Sequence, residues 1–432
     1  MSTARGSNSV FAGQPTAAVR DASESLEEFA ERAQAFLMSA AKPLGVSRTP
    51  STSDGSPCVS EEDRVSLFRG STVEDARAAC DWRRQVFDAG FGWIKGPKEW
   101  GGAGLSGKFE KAYLQFERQY ETPSPSPLGV SLGMVGPTLN QFGSDEAKQR
   151  WLTGLYRGDF IGCQLFSEPA AGSDLASVKT KAIANDDHWI VTGQKVWTSG
   201  AHYSDVGLVL ARTSPSPRHG NLTVFLVDMH APGVEVKPLR QMTGEADFNE
   251  VFLDNVKVED AYRLGEIDEG WQVAMATLLH ERGAIGGSGS GGTGLFDMNK
   301  LAAMLISLGV DGDPMIRQQY ATVATGVAAA KAMRSRAEAA MKSGQTPGAE
   351  MSLSKLALTR NLAALSDLVS KALGPKLLMD THEPRTYAWT EYVLGVPGFR
   401  LGGGTDEIQR NIIAERVLDL PKEPTPRRNL PH

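Results

Sequence analysis

The stretch at residues 164–199 decides the fold of this chain, because it joins a polar turn to a long strand. It opens within the sequence CQLFSEPAAGSD, residues 163–174, whose second half has the composition of a turn. It closes within HWIVTGQKVWTSG, residues 188–200, in which apolar and polar residues alternate as in a half-buried strand. Its backbone N–H groups, hydroxyls and indole are suited to bind a flat apolar ring with hydrogen-bonding edges. On pattern alone, an ordinary β-hairpin with a serine-rich turn explains the stretch at least as well.

Length and charge limit the classes of protein to which this chain can belong. A single hydrophobic core stops growing at a chain length of ~250–300 residues. The 432 residues of this chain exceed that length, so two or three domains are expected. A net charge of -6 offers no basic surface for nucleic acid. No apolar run reaches the ~18 residues of a membrane span, and the N-terminal sequence MSTARGSNSV contains no apolar signal core.

The cysteines and histidines also carry information about location and metal binding. Cys58, Cys80 and Cys163 are widely spaced and odd in number, which favours free thiols in a reducing cytoplasm over a disulfide framework. The seven histidines lack the spacing that is typical of metal ligands. We therefore expect a cytoplasmic protein without a metal site.

The spacing of apolar residues changes twice along the chain, which predicts three domains. Helical spacing gives way to strand-like alternation at residue 161 and returns after residue 268. This order predicts an α+β protein with an all-α N-terminal domain, an antiparallel β-barrel-like middle domain and a C-terminal four-helix bundle. The predicted bounds are a flexible N-terminus at 1–20, domains at 21–160, 161–268 and 269–420, and a tail at 421–432.

Capping sequences predict where individual helices begin. Ser25 and Glu28 have the spacing of a capping box, and further helices are expected after Ser60 and Thr72. Asp313-Pro314 combines an N-cap with a first-turn proline, and Met351–Leu373 has the pattern of another long helix.

Three short motifs stand out in the sequence. Residues 167–174 read SEPAAGSD, residues 193–199 read GQKVWTS and residues 404–410 read GTDEIQR. They resemble motifs of the acyl-CoA dehydrogenase family, and the first two lie at the family's spacing. The loop at 96–102 is similar to a further family motif, although a tight turn explains it equally well. The resemblance extends over about residues 20–420. It implies the three-domain fold, an FAD cofactor and an acyl-CoA substrate.

The reaction implied by the resemblance forms a double bond between Cα and Cβ of an acyl-CoA thioester. A carboxylate removes the α-proton, and the β-hydrogen leaves as hydride to the flavin. In many members this carboxylate directly precedes the Gly-Thr of the last motif, where this chain has Gly403. In a branch similar to isovaleryl- and long-chain-type enzymes, a glutamate on an earlier helix precedes an arginine. Glu281 and Arg282 match that branch, so Glu281 is the candidate base; a solvated surface glutamate is the alternative.

The resemblance also implies cofactor and substrate contacts. The residues expected to bind FAD are Phe166, Ser167, Trp197, Thr198, Ser199, Thr405 and Glu407. Thr198 and Ser199 are alternatives for one contact, because the motif register is uncertain by one residue. The residues expected to bind acyl-CoA are Ser173, Arg282 and Gly403, the last through its N–H to the thioester oxygen. A turn-capping role is the alternative for Ser173.

The glycine-rich segment at 286–294 satisfies the spacing of a dinucleotide-binding motif. It follows a helical pattern rather than a strand, so we reject that function. We predict instead that the segment enlarges the acyl pocket for a bulky chain, branched or ring-bearing.

Two family motifs that complete the FAD site across a dimer are altered here. No R-x-x-F-G motif occurs in residues 295–313, and ALGPK at 372–376 replaces a glycine-rich segment. The expected assembly is a homo-oligomer with another pyrophosphate anchor or a heterotetramer with a related subunit. An electron-transfer flavoprotein-like protein is the expected electron acceptor. The rival functions are a flavin-dependent monooxygenase of the same fold and a non-catalytic partner subunit.

Overall fold

The structure is a computed structural model that describes residues 24–44, 71–286, 296–342, 351–378 and 389–422. The predictions for the N-terminus at 1–20, for the helix after Ser60 and for the glycines at 287–294 lie outside these residues.

Helices form the first part of the chain. They are α1 Leu26–Ala40, α2 Val73–Asp88, α3 Gly107–Glu117, α4 Gly136–Phe142, α5 Asp145–Ala147 and α6 Thr153–Arg157, with a short β-ladder between β1 Lys42–Pro43 and β2 Tyr120–Glu121. Ser25 and Glu28 form the predicted capping box, and Thr72 begins α2 in the same way. π-Helical turns at Ser131–Val135 and Lys148–Leu152 lie before α4 and α6.

Strands follow between residues 162 and 264. They are β3 Gly162–Leu165, β4 Lys181–Asn185, β5 His188–Ser199, β6 Val206–Arg212, β7 Leu222–Asp228, β8 Val234–Leu239, β9 Phe248–Glu259 and β10 Arg263–Leu264. Their order in the sheet is β10-β7-β6-β4-β5-β9-β8, and β3 pairs with β6. The prediction of a β-domain between two helical regions is confirmed.

The sheet differs from the predicted antiparallel barrel in two respects. β3 runs parallel to β6, and β4 meets β6 in parallel at Lys181 and Arg212. Within residues 162–264, all of which the structure describes, β10 and β8 form the two ends of the pairing order, so the sheet does not close. β10 is only two residues long, which leaves little backbone to pair with another strand.

β6 and β7 are buried on both faces. One face, with Leu208 and Leu226, packs against the helices of the first part and against the helix that follows the sheet. The opposite face, with Val209 and Phe225, packs against residues of β5 and β9. The curled sheet thus has its own interior and is also anchored to helices.

Helices return after the sheet. They are α7 Gly270–Gly286, α8 Met298–Ser307, α9 Pro314–Lys342, α10 Met351–Leu373, α11 Thr390–Phe399 and α12 Asp406–Arg416. Asp313 caps α9 as predicted, since its Oδ1 accepts the Met315 N–H at 2.7 Å. α10 packs against α7, α9, α11 and α12 and is the centre of this bundle. Among the helices that the structure describes, none is both long and apolar enough to cross a membrane.

Candidate active site

A β-bulge in β5 turns Trp197 to the surface. From Lys195 to Thr198, β5 advances one residue more than its partner β9. Trp197 has a φ of 61°, in the left-handed region that bulky residues rarely adopt. Its side chain is 61% exposed and meets Phe248 edge-to-face, with the ring centroids 6.0 Å apart. The bulge therefore presents a large aromatic surface at the end of the strand.

The bulge also decides which of Thr198 and Ser199 faces outward. Thr198 is buried, and its hydroxyl has no hydrogen-bond partner among the described residues. Its carbonyl accepts a bond of 3.1 Å from Nδ2 of Asn249. Ser199 is exposed, like Trp197. Of the two predicted alternatives, Ser199 is therefore the hydroxyl that shares a face with the indole.

Ser167 lies directly beside the bulge. Its carbonyl accepts the Val196 N–H at 2.9 Å, and within the described part of the chain no acceptor meets its own N–H. The side chain of Phe166 is buried in the core that the sheet shares with the helices. The structure thus brings an exposed indole, an exposed hydroxyl and a backbone donor together, which fits a flat ring with polar edges.

A buried ammonium group underlies this arrangement. The side chain of Lys195 has no exposed surface, and its Nζ donates to Glu168 Oε1 at 2.9 Å. It also donates to the carbonyl oxygens of Phe166 at 3.1 Å and Leu210 at 2.7 Å. All three ammonium hydrogens therefore have acceptors, which offsets the cost of burying the charge.

Glu168 closes the loop that carries Ser173. Its carboxylate oxygens accept the N–H groups of Lys179 at 2.6 Å and Thr180 at 2.9 Å. Burial raises the pKa of Glu168, but the charge and hydrogen bond of Lys195 outweigh it and hold that pKa below its usual value. Burial lowers the pKa of Lys195 to about 8, although Glu168 opposes this shift. Both Glu168 and Lys195 are therefore charged at neutral pH. Ser173 is exposed on the loop that Glu168 closes.

Sequence reasoning assigned no role to Lys195 and treated Glu168 only as part of a turn. A signal was present, because Trp189, Val191 and Lys195 are all odd-numbered residues of β5 and share its apolar face. A lysine on such a face requires a buried partner.

Glu281 is half-buried on α7, which packs against Ser131–Val135, α4, β7 and α10. One turn before Glu281, the hydroxyl of Thr277 meets that of Thr138 at 3.0 Å, and both residues are fully buried. Because Thr277 donates its proton to the Val273 carbonyl, Thr138 is the donor of this bond. The contact ties the helix that carries Glu281 to α4.

Burial lowers the pKa of His280, next to Glu281, and so favours the neutral imidazole. The neutral form carries no positive charge beside the candidate base. Arg282 follows Glu281 within α7.

The turn before α12 is shaped by two glycines. Gly403 and Gly404 have φ values of 66° and 81°, in the left-handed region that favours glycine. A Cβ atom on Gly404 would lie 2.6 Å from Nε2 of Gln409. That Nε2 donates to the Gly403 carbonyl at 2.9 Å. Among the described residues, no acceptor meets the N–H groups of Gly403, Gly404 or Thr405.

Asp406 anchors this turn to α10. Its carboxylate, 3% exposed, accepts bonds from Lys355 Nζ at 3.1 Å, Thr359 Oγ1 at 2.9 Å and Arg400 Nε at 3.0 Å. Burial raises the pKa of Asp406, but these hydrogen bonds outweigh it and hold that pKa below its usual value. Since α10 packs on α7 as well, one helix supports both the glycine turn and Glu281.

Thr405 and Glu407 have structural contacts of their own. Thr405 is the N-cap of α12, and its hydroxyl accepts the Ile408 N–H at 3.2 Å. Glu407 pairs with Arg410 at 3.2 Å on the helix surface.

The chain thus has a helical region, a sheet and a second helical region, with an exposed indole on β5 and a half-buried carboxylate on the helix that follows the sheet. Three segments match one family: residues 69–159 match "Acyl-CoA dehydrogenase, N-terminal domain", 163–256 match its middle domain and 268–418 match its C-terminal domain. The acyl-CoA dehydrogenase IpdE1 of Mycobacterium tuberculosis is 38% identical over 355 residues, covering 81% of this chain and 89% of that protein. The chain belongs to the acyl-CoA dehydrogenase family, whose members act on the CH–CH bond of acyl-CoA.

Solved structures agree in fold. One described as "Tcur3481-Tcur3483 steroid ACAD" has a TM-score of 0.69 at 22% identity, covering 94% of this chain and 100% of that chain. The ChsE4-ChsE5 complex from Mycobacterium tuberculosis has a TM-score of 0.66 at 24% identity, with the same coverage. These two structures support the fold, and the three matched segments confirm the family resemblance stated from the motifs.

The buried hydrogen bonds of Asp406 lead to a prediction about the stability of the fold. Asp406→Asn leaves the buried ammonium of Lys355 without its charged partner and should lower the free energy of unfolding at pH 7 by about 3–5 kcal/mol. Because the folded pKa of Asp406 lies below the unfolded value, its contribution is present above about pH 4 and is lost as the pH falls through the folded pKa. Urea denaturation from pH 7 to pH 3 measures both effects. Asp81→Asn, which breaks an exposed pair with Arg84, is the control and should change stability by less than about 0.5 kcal/mol.

Proposed function

We propose that the chain is an FAD-dependent acyl-CoA dehydrogenase in which Glu281 removes the α-proton of the substrate. The proposal rests on one observation: glycine occupies the position of the base in many members, and a carboxylate is present at the position used by another branch of the family. Gly403 occupies the usual position in a left-handed turn, while Glu281 lies half-buried on α7. Both elements are supported by α10.

The residues that would hold the flavin ring are those at the β5 bulge. The indole of Trp197 would cover one side, the Ser199 hydroxyl and the Ser167 N–H would donate to the polar edge, and Phe166 would support the ring from the core. Thr198, which is buried, has a supporting role. We place Thr405 and Glu407 near the adenine half of the cofactor. When bound, FAD supplies the group that accepts the β-hydrogen as hydride.

The proton side of the reaction falls to this chain's own residues. Glu281 accepts the α-proton, and exclusion of water by the acyl chain raises the basicity of its carboxylate. The Gly403 N–H, which lacks an acceptor among the described residues, donates to the thioester oxygen as negative charge develops there. Such a donor is worth about 3–4 kcal/mol of transition-state stabilisation. Ser173 and Arg282 orient the CoA end.

A substitution at Glu281 tests the assignment of the base. Glu281→Gln should lower kcat by about 10²–10⁴-fold, because the amide cannot accept the α-proton. FAD content should be unchanged. The measurement is bleaching of the flavin band by an acyl-CoA without oxygen, together with α-proton exchange into deuterated water.

The exposed residue Glu266, just before α7, provides the matched control, and Glu266→Gln should behave as wild type. Bleaching of Glu281→Gln at the wild-type rate would exclude Glu281 as the base. Absence of anaerobic bleaching in wild type would favour the monooxygenase.

The acyl pocket is proposed to accept a bulky chain. Support comes from the sequence alone, because residues 286–294 read GGSGSGGTG, contain no large side chain and follow Glu281 closely along the chain. Ring-bearing or branched acyl-CoA should therefore give a kcat/KM at least about 10-fold above that of butyryl-CoA. A substrate panel with one fixed artificial acceptor measures this ratio, and a preference for butyryl-CoA would contradict it.

A related subunit is proposed to complete the FAD site in a heterotetramer, with an electron-transfer flavoprotein-like acceptor in the cytoplasm. Support comes from residues 296–313, in which Lys300 is the one basic residue, so this segment offers no arginine for the pyrophosphate. The proposed cytoplasmic location is supported by Cys80 and Cys163, which are buried free thiols, as is usual in a reducing compartment.

The assembly is tested by the visible spectrum and the mass of the purified protein. The chain alone should carry substoichiometric FAD, and co-expression with a related acyl-CoA dehydrogenase chain should restore the flavin band and a four-chain mass. A homo-oligomer that holds one FAD per chain by itself would refute the heteromeric assembly.

A further inference from the structure

We propose that Lys195 and Glu168 are positioning residues, whose buried ion pair sets the flavin-binding edge at Ser167 relative to the CoA-binding loop at Ser173. This inference rests on the proposed FAD and acyl-CoA site. Neither residue touches the ligands in that proposal; each acts through backbone groups that do.

The first step runs from Lys195 to the Ser167 N–H. A peptide is planar and trans, so a carbonyl and the N–H that follows it point in opposite directions. The ammonium of Lys195 holds the Phe166 carbonyl at 3.1 Å, and the Ser167 N–H is therefore directed away from it. The Ser167 carbonyl is held by the Val196 N–H, next to the bulge. Both peptides around Ser167 are thereby fixed, one by a side chain and the other by β5.

The second step runs from Glu168 to Ser173. The carboxylate binds the N–H groups of Lys179 and Thr180, while the backbone of Glu168 exchanges two bonds of 3.0 Å with Ala171. The loop that contains Ser173 is therefore closed at both ends on a single residue. Any shift of Glu168 changes the distance between this loop and the edge at Ser167.

The third step concerns the choice of charged groups. A buried ion pair is often no more stabilising than apolar side chains of similar volume, because each ion must be desolvated. A lysine ammonium, however, has three donors that reach acceptors in different directions. Here they connect the end of β3, the carbonyl of Leu210 in β6 and the Glu168 loop. Methionine would fill the space but would fix none of these groups.

The experiment compares Lys195→Met and Glu168→Gln with wild type, using the protein in the assembly that holds FAD. The FAD Kd is measured by quenching of flavin fluorescence, the Kd for an acyl-CoA by titration, and the melting temperature by calorimetry. Lys195→Met should raise the FAD Kd by about 10- to 100-fold, as expected for loss of a hydrogen bond to a charged group, and should change the visible circular dichroism of bound flavin. Glu168→Gln should weaken acyl-CoA binding more than FAD binding.

Lys181→Met, an exposed lysine on the neighbouring strand β4, is the matched control and should leave both Kd values within about twofold of wild type. A lower melting temperature in Lys195→Met and Glu168→Gln, with Kd values and circular dichroism unchanged, would show that the pair is merely structural and would overturn the inference. If Lys195→Met does not fold, the result for Glu168→Gln tests the inference, because this variant keeps the hydrogen bonds from Lys195 to the carbonyls of Phe166 and Leu210. Unchanged acyl-CoA affinity would then refute the inference. Failure of wild type to bind FAD in any assembly would refute the proposed function itself.

Discussion

The ammonium of Lys195 is the constraint on which the candidate site depends. Burying a charge inside a protein costs several kcal/mol of desolvation free energy. The groups that accept its hydrogen bonds must therefore lie close to it and offset that cost. Two backbone carbonyls and the Glu168 carboxylate meet it within 3.1 Å. The end of β3, the middle of β6 and the loop at 168–180 are thereby held on β5. The exposed indole of Trp197 lies two residues beyond this point.

A second buried charge organises the helical bundle that carries Glu281 and the glycine turn. Asp406 binds Lys355 and Thr359 of α10 and fixes the start of α12. α10 also supports α7, which carries Glu281. The glycine turn and the candidate base are therefore placed by one helix, and the loss of a carboxylate at Gly403 leaves a backbone donor in its place. One buried network thus holds the groups around the β5 bulge, the other holds the glycine turn before α12, and the proposed reaction depends on both.

Local sequence patterns predicted the elements well, because their causes are local. The cap at Ser25, the cap at Asp313 and the helix Met351–Leu373 depend on residues a few positions apart. The way in which the strands pair was not predictable in the same manner. The parallel contact of β3 with β6 joins residues more than 40 positions apart, such as Gly162 and Val206. No local pattern distinguishes this sheet from a closed antiparallel barrel.

The sequence by itself determined the family, through the three motifs, and it made Glu281 the candidate base in a chain that has a glycine at 403. The direction of the side chains in the second motif was decided only by the tertiary structure. By alternation, Trp197 belongs on the buried face with Lys195, but an extra residue in β5 reverses the order, exposing Trp197 and Ser199 and burying Thr198. A bulge exists only relative to a partner strand, and the partner of Lys195 is Val251 in β9. The pairing that turns the indole outward is therefore a property of the folded sheet.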